Sequence, residues 1–590
     1  MVKKLVRALV FLAAFCLLIS CNGTANVTKN GDSSAENDED KTDSDIAGDK
    51  DDNDDDPENG DLEPEAGDEE PVADDGSAAQ DDDSAAPDDS EPIEEPQVIN
   101  LSPSASYEDS NVGIIITTDE LEEVFKKFAI FHTITGIPTK VVTVSAVCDI
   151  YGCDDSEPAT DTSSAIKKYL MSVEGLRYVV LGGDSAEVPS RKVHDHYKNI
   201  LAGEYEEDFY SDLFFADFSD WDANGNGDYA EDDDNPKLVA DVAIGRISVS
   251  TVEDAELYFQ KLLKHSTAYD VSRIKTATLL ANIAATVSSV AINSGYYFIA
   301  DGKTESIIDP GYEMKKYYTK TFPFPDNTAE YLTNESEKSA IEAGPNIIVH
   351  SGHGAPWLLS CEQETDDNDF TGDMAYALEN VNYPIFLSCA CEAGQFTYRN
   401  DSAGEKLMKA PNGGAILYLG NTTTGLGIAG GSQFIDEMLK NMFAYPSAII
   451  GESYLYAHLS LPKYDTFNPP ISFININAPV VDNDSWKWTK KSIVMLGDPM
   501  LTFWRDVVPP FESELVPVVE TADGGMSVKF EIPGEFDGLD LTLFANDKIY
   551  SIPYVHEGTL ELVFSEPASE LYIGIRADGH QYFFQKFELE

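Results

Sequence analysis

Positive charge is what this chain has least of: 39 Lys and Arg stand against 106 Asp and Glu, a formal net charge of −67 over 590 residues. That balance argues against a nucleic-acid binder and against a protein that lies on an anionic membrane surface, and it suits solubility and calcium. Cysteine is scarce too, at seven, and neither C-x-x-C nor H-x3-H spacing is present, which counts against a zinc module. The Gly182-Gly183-Asp184 turn lacks the Gly-Lys-Ser/Thr ending of a phosphate loop. The apolar run near the start is too short for a comfortable membrane span.

That run, Met1 to Ser20, places basic residues before apolar ones and reads as a signal peptide. Leu18-Ile19-Ser20-Cys21 resembles the bacterial lipoprotein processing box. The resemblance implies cleavage before Cys21, a lipid on Cys21 and a membrane-anchored protein of the bacterial envelope, at the outer membrane or cell surface. A plain secretory signal with an incidental Cys21 is the alternative. Residues 31–100 hold 30 Asp and Glu against 2 Lys, nearly half of the net charge, with almost nothing to bury. We read residues 21–105 as a disordered acidic tether.

The chemistry centres on Pro345 to Phe396. Ile347-Ile348-Val349 and Ile385-Phe386-Leu387 are short apolar runs bounded by Pro or Gly, so both are predicted to be buried strands. The first runs into His350-Ser351-Gly352-His353-Gly354, the second into Ser388-Cys389-Ala390-Cys391, and helical spacing from Thr371 to Asn380 separates them. A strand–helix–strand unit makes the strands parallel, so both ends reach one sheet edge, where ligands of open α/β sheets bind. An imidazole beside a thiol is the usual means of producing a competent thiolate. Gly354 leaves room for a substrate carbonyl, and its N–H with that of Cys391 would form an oxyanion hole.

His353-Gly354 at one strand end and Ala390-Cys391 at the next resemble the arrangement of caspase-like and gingipain-like cysteine peptidases. Cys391-Glu392-Ala393-Gly394-Gln395-Phe396 is similar to the gingipain family's Cys-x-x-Gly-x-Phe, and Val494 to Pro499 resembles its closing Leu-Gly-Asp-Pro. The resemblance covers roughly residues 111–505. It implies a thiol peptidase acting on proteins or peptides, with Cys391 as nucleophile, His353 as base, and Cys389 and His350 without a chemical role. The fold it implies is α/β: a caspase-like, mostly parallel sheet with flanking helices in two subdomains, followed by an immunoglobulin-like β-sandwich. The subdomains are placed at 106–272 and 273–507 and the sandwich at 508–590. The family orients its imidazole with an acid after the strand preceding the His strand. Here that strand, Leu279 to Ala285, has none, leaving Asn282 as the candidate or a Cys–His dyad. The acid of the Arg-specific members' pocket also has no counterpart in Tyr296-Tyr297-Phe298.

One motif stands without any resemblance. Asp220 to Glu231 fits D-x-D-x-N-G-x5-E, with Asp220, Asp222, Asn224, Asn226, Asp228 and Glu231 at the calcium-ligating positions and Gly225 at the sharp turn. No amphipathic helices flank it, so a structural calcium loop without an EF-hand is expected, and no organic cofactor. Among the cysteines, Cys148 and Cys153 sit in a short loop that an oxidising envelope can close, and a Cys361–Cys389 pair would leave Cys391 free. The competing readings are a catalytically inactive or adhesive surface protein, a zinc centre built from His350, His353, Cys389 and Cys391, and a transpeptidase or sorting role on the same site.

Overall fold

A computed structural model describes residues 96–199, 203–282, 285–287, 290–292, 303–319, 328–361, 368–461, 481–522 and 525–589. The signal peptide, Cys21 and the tether to residue 95 lie outside the described residues, as do residues 293–300 with Tyr296-Tyr297-Phe298. Among the described residues no helix is long and apolar enough to cross a membrane.

The frame of the α/β body is one sheet of eleven strands. From one edge run Glu330–Tyr331, Glu313–Tyr318, Thr276–Ala281, Ile347–Ser351, Ile385–Ser388 and Leu417–Asn421, all parallel. Ile493–Gly497 then pairs antiparallel with Leu417–Asn421 and parallel with Ala243–Ile247. Tyr178–Gly182, Gly113–Thr117 and Thr139–Thr143 complete this second parallel set. The sheet therefore reverses direction once. Strands such as Gly113–Thr117, Tyr178–Gly182 and Ile347–Ser351 are buried along their whole length, as strands covered by helices on both faces must be. The helices start where the sequence supplies an oxygen for free N–H groups: Thr143, Asp161 and Thr251 each accept from the third residue on, and Ser402 with Glu405 forms a capping box.

Two further sheets enclose a separate core that includes Val528, Phe530, Leu543, Leu560, Leu562, Leu571 and Ile573. Gly525–Ile532 and Gly558–Phe564 alternate buried and partly buried residues, as half-buried antiparallel strands do. The tether boundary is corrected here. Gln97–Asn100 pairs parallel with Gly558–Phe564 in one of these sheets, and Ala105–Ser106 pairs with Lys548–Ile552 in the other. Residues 97–105, read from the sequence as the end of the tether, thus supply strand residues to the C-terminal sandwich, and Ser106, read as the start of the first α/β subdomain, belongs to it as well. The sandwich is also bonded to the α/β body. Gln581, fully buried, accepts from the Tyr269 N–H at 2.7 Å and donates to the carbonyls of Tyr269 and Val508 at 2.9 and 3.0 Å, and Phe584 packs on Phe131.

The N-terminal half also sends out a long hairpin, Arg191–Asn199 with Gly203–Ser211. Its inner face packs Tyr197, Tyr205 and Phe209 around Trp488. Glu207 reaches the turn after Leu417–Asn421, accepting from the Thr423 hydroxyl.

Candidate active site

The His strand, Ile347–Ser351, and the Cys strand, Ile385–Ser388, are parallel neighbours with His350 opposite Ser388. Their ends meet. A Cβ placed on Gly354 would lie 2.9 Å from the Ala390 Cβ and 3.0 Å from the Cys391 carbonyl oxygen, so only glycine lets the His353-Gly354 backbone lie against Ala390-Cys391. His353 is 9 % and Cys391 5 % exposed. The backbone of His353 is fixed by a short hairpin, its carbonyl accepting from the Ser360 N–H at 3.0 Å.

Cys391 opens a tight turn. The Ala393 N–H returns to the Cys391 carbonyl at 2.6 Å, and Glu392 between them has φ of 54°, a left-handed conformation that a side chain makes costly. Two partners hold it there: the Glu392 N–H donates to the Thr423 carbonyl at 2.8 Å, and the Gly394 N–H to the Asn421 carbonyl at 3.0 Å. Strain of this kind persists where surrounding structure enforces it, and it concentrates at functional sites. The Cys391 thiol lies 3.9 Å from the Gly425 carbonyl. Burial, together with the nearby Glu207 carboxyl, pushes Glu392 up to about 7.

Asn282 stands at the end of Thr276–Ala281, one strand from the His strand. Its Nδ2 donates to the Ser360 carbonyl at 2.7 Å and its Oδ1 accepts from the Thr319 hydroxyl at 2.8 Å. It thereby braces the same hairpin residue whose N–H holds the His353 carbonyl. Cys389 points elsewhere, buried against Ser351 and Ser432 at 3.5 and 3.9 Å, and burial raises its thiol.

Cys148 and Cys153 are disulfide-bonded, but the expected Cys361–Cys389 bond is not formed. The Cys361 thiol donates instead to the buried Glu337 carboxyl at 3.2 Å, while Cys389 lies against the Ser351 and Ser432 hydroxyls. Cys361, Cys389 and Cys391 therefore remain outside any disulfide. The zinc reading loses its geometry as well, since the His350 Nδ1 is engaged by Ser388 at 2.9 Å and no three His, Cys, Asp or Glu converge as metal ligands among the described residues.

The calcium motif folds as a loop closed by the Ala230 N–H donating to the Trp221 carbonyl at 2.7 Å, with Gly225 at φ of 72°. Asp220 and Asn224 side chains accept from N–H groups two residues on, at 3.1 and 2.9 Å, and Asp222 accepts from the Gly227 N–H at 3.2 Å. Asn226 likewise accepts from the Asp228 N–H at 2.8 Å. Glu231 accepts from the Asn226 and Asn224 amides at 2.6 and 3.3 Å. Asp234, which the motif does not include, is buried and ties the two ends together by accepting from the N–H groups of Asn224 and Glu231, both at 3.2 Å. The donor set is all oxygen and the turn is of the kind calcium loops use, but here too no three carboxylates converge as they stand; a bound ion would need the Glu231 carboxylate turned from the amides toward the loop centre.

The sequence matches the profile of peptidase family C25 over residues 107–504. The chain belongs to peptidase family C25. Its fold is similar to that of gingipain R (RgpB), an Arg-specific cysteine proteinase, with 16 % identity, a TM-score of 0.53, and 83 % of this chain and 100 % of that one covered. The complex of the Porphyromonas gingivalis RgpB pro- and mature domains matches at 16 % identity and a TM-score of 0.52, covering 81 % of this chain and 100 % of that one. No curated protein matches the sequence significantly. Membership of the C25 family makes the chain a gingipain-like cysteine peptidase, and the large, mostly parallel sheet with its helices is the fold of those structures.

Proposed function

We propose that the protein is an extracytoplasmic cysteine endopeptidase with Cys391 as nucleophile and His353 as general base. The observation that carries this is the meeting of the two strand ends: a strained turn presents Cys391 where the Gly354 backbone passes in contact with it. His353 takes the thiol proton as sulfur bonds to the scissile carbonyl carbon, then gives it to the departing amine as the C–N bond breaks. Water, with His353 again as base, cleaves the thioester. The N–H groups of Gly354 and Cys391 serve the oxyanion. Asn282 acts by bracing Ser360 and so the His353 backbone, in place of a family acid. Treating the native protein with iodoacetamide at neutral pH and mapping the modified peptide tests the reading: Cys391 should be alkylated first, and preferential labelling of Cys389 or Cys361 would defeat it.

Glu392 gives this site a pH signature. Above about 7 its carboxylate ionises one residue from the nucleophile, opposing a thiolate there, and below 7 it is neutral. Glu392→Gln should raise the Cys391 alkylation rate above pH 7 and leave it nearly unchanged at pH 6. The native state also keeps a proton that the unfolded chain, with the usual value of 4.5, has released. This group's contribution to stability therefore falls as pH rises from 4.5 to 7, and Glu392→Gln should flatten that slope. An unaltered pH profile in the variant would remove Glu392 from the account.

We assign calcium to the loop, held by Asp220, Asp222, Asn224, Asp228 and Glu231 with the Asn226 carbonyl, as a structural ion. Its loop borders the hairpin, since the His194 N–H donates to the Tyr229 carbonyl at 3.2 Å. Calcium at a hundredfold excess over its Kd should add about 2–3 kcal/mol, seen as a higher Tm that chelator reverses. Asp222→Ala should erase the difference, and a wild-type Tm indifferent to calcium would rule the site out.

The envelope location rests on the signal peptide and on Cys21 as the lipid-bearing residue. The C-terminal sandwich is taken as the family's immunoglobulin-like domain. Cys21→Ser should move the protein from the detergent phase to the aqueous phase; wild-type protein already aqueous with an unmodified N-terminus would contradict the anchor.

A further inference from the structure

His350 does not behave as a packing residue. It is fully buried, burial and the neighbouring His353 bring its imidazole down to about 3, and it is therefore neutral under all working conditions. Its Nε2 is buried without a hydrogen-bond partner among the described residues, and a Cβ on Gly352 would come within 3.0 Å of that atom. A core position that leaves a polar ring atom unsatisfied would be better filled by an aliphatic side chain, unless the other ring nitrogen has a use.

That other nitrogen lies at the point where the Cys strand leaves the sheet. The Cys389 N–H still donates across to the His350 carbonyl at 3.3 Å. The next N–H, that of Ala390, turns back to the Ser388 hydroxyl at 3.1 Å, and the same hydroxyl lies 2.9 Å from the His350 Nδ1. The carbonyl side of Ala390 is held separately, accepting from the Asn421 Nδ2 at 2.9 Å. Ser388 is fully satisfied if its hydroxyl donates to an unprotonated Nδ1 while accepting the Ala390 N–H, because donation then runs one way from Ala390 through Ser388 to His350.

We propose that His350 and Ser388 are positioning residues that fix the Cys389-Ala390 peptide, directly before Cys391, so that the Cys391 thiol is held in register with His353. The proposal rests on the reading of Cys391 as nucleophile. A displacement of about 1 Å between reacting groups can cost two orders of magnitude, and without the clamp the Ala390 N–H has no partner from the strand ladder to stop the turn from relaxing.

The test uses the full chain and iodoacetamide, whose reaction with Cys391 needs no knowledge of the substrate. Ser388→Ala and His350→Leu should each slow Cys391 alkylation at pH 7 by about tenfold or more, with rates converging on wild type above the usual thiol value of 9.0, where ionisation no longer depends on His353. Ser388→Thr keeps the hydroxyl, and His350→Asn places an acceptor near the Nδ1 position. Both should stay within about threefold of wild type. Loss of packing alone would lower Tm without moving the pH profile and would penalise His350→Asn as much as His350→Leu. Either that pattern or a wild-type pH profile in Ser388→Ala overturns the clamp while leaving the nucleophile in place. If His350→Leu does not fold, Ser388→Ala carries the same decision. Labelling of a cysteine other than Cys391 in the wild type overturns the nucleophile reading, and the clamp with it.

Discussion

Cys391→Ala is expected to reduce peptide hydrolysis by at least about four orders of magnitude, and His353→Ala to do nearly the same, because nucleophile and base act as one unit and the loss of either removes the covalent route. Neither should unfold the protein: the turn at Cys391 is held through the backbone of Glu392 and Gly394, and the His353 backbone remains held by Ser360. Cys389→Ser provides the control. Its sulfur lies two residues from Cys391 but is enclosed by Ser351 and Ser432, so a hydroxyl there should keep activity within a few fold at some cost in stability. Mass spectrometry of a peptide library incubated with each variant is the measurement, since it assumes no specificity. Hydrolysis by Cys391→Ala at the wild-type rate would show that another group does the chemistry.

The site was legible in the sequence where function coincides with ordinary strand signals. Apolar runs stopped by Pro or Gly mark Ile347–Ser351 and Ile385–Ser388, and the βαβ rule then brings His353 and Cys391 to one edge without further information. Features that depend on distant partners were not legible. Gln97–Asn100 is four residues at the end of an acidic stretch, and its reason to be a strand is Gly558–Phe564, near the other terminus. The reversal of the sheet between Leu417–Asn421 and Ile493–Gly497 depends on how the intervening chain returns, which local patterning does not encode. Cysteine pairing misled because residue spacing says nothing of direction: Cys361 faces Glu337. The glycine of Cys-x-x-Gly has a role that only packing shows. The left-handed residue of that turn is Glu392, while a Cβ on Gly394 would lie 3.1 Å from Val494 and 3.3 Å from the Asn421 carbonyl. His350 and Ser388 look like any strand-end polar pair until the register sets them opposite each other.

Asp212→Ala should destabilise the protein by about 3–5 kcal/mol, the cost of leaving a buried guanidinium without its carboxylate. Arg246 is 0 % exposed and its Nε and Nη2 donate to the two oxygens of Asp212, each at 2.8 Å. Its Nη1 donates to the carbonyls of Gly183 and Val188 at 2.9 and 2.8 Å, binding the loop after Tyr178–Gly182. The guanidinium face then lies 4.4 Å from the ring of Phe396, five residues beyond Cys391. A physical reason for the final Phe of Cys-x-x-Gly-x-Phe follows: the ring anchors the segment leaving Cys391 to a cation of the other half of the sheet. With native proteins stable by only about 5–15 kcal/mol, Asp212→Ala should be marginal at physiological temperature. Arg246→Lys should also be costly, because an ammonium offers neither the two-pronged pairing nor the flat face. Replacing both partners, as in Asp212→Leu with Arg246→Met, should recover most of the loss by removing the unpaired charge along with its counterion. Phe396 would then lose its cation, so the double variant should regain stability more fully than peptide hydrolysis. Denaturant unfolding with parallel activity assays separates the two effects, and an Asp212→Ala protein within about 1 kcal/mol of wild type would show that the pair contributes no more than a surface ion pair does.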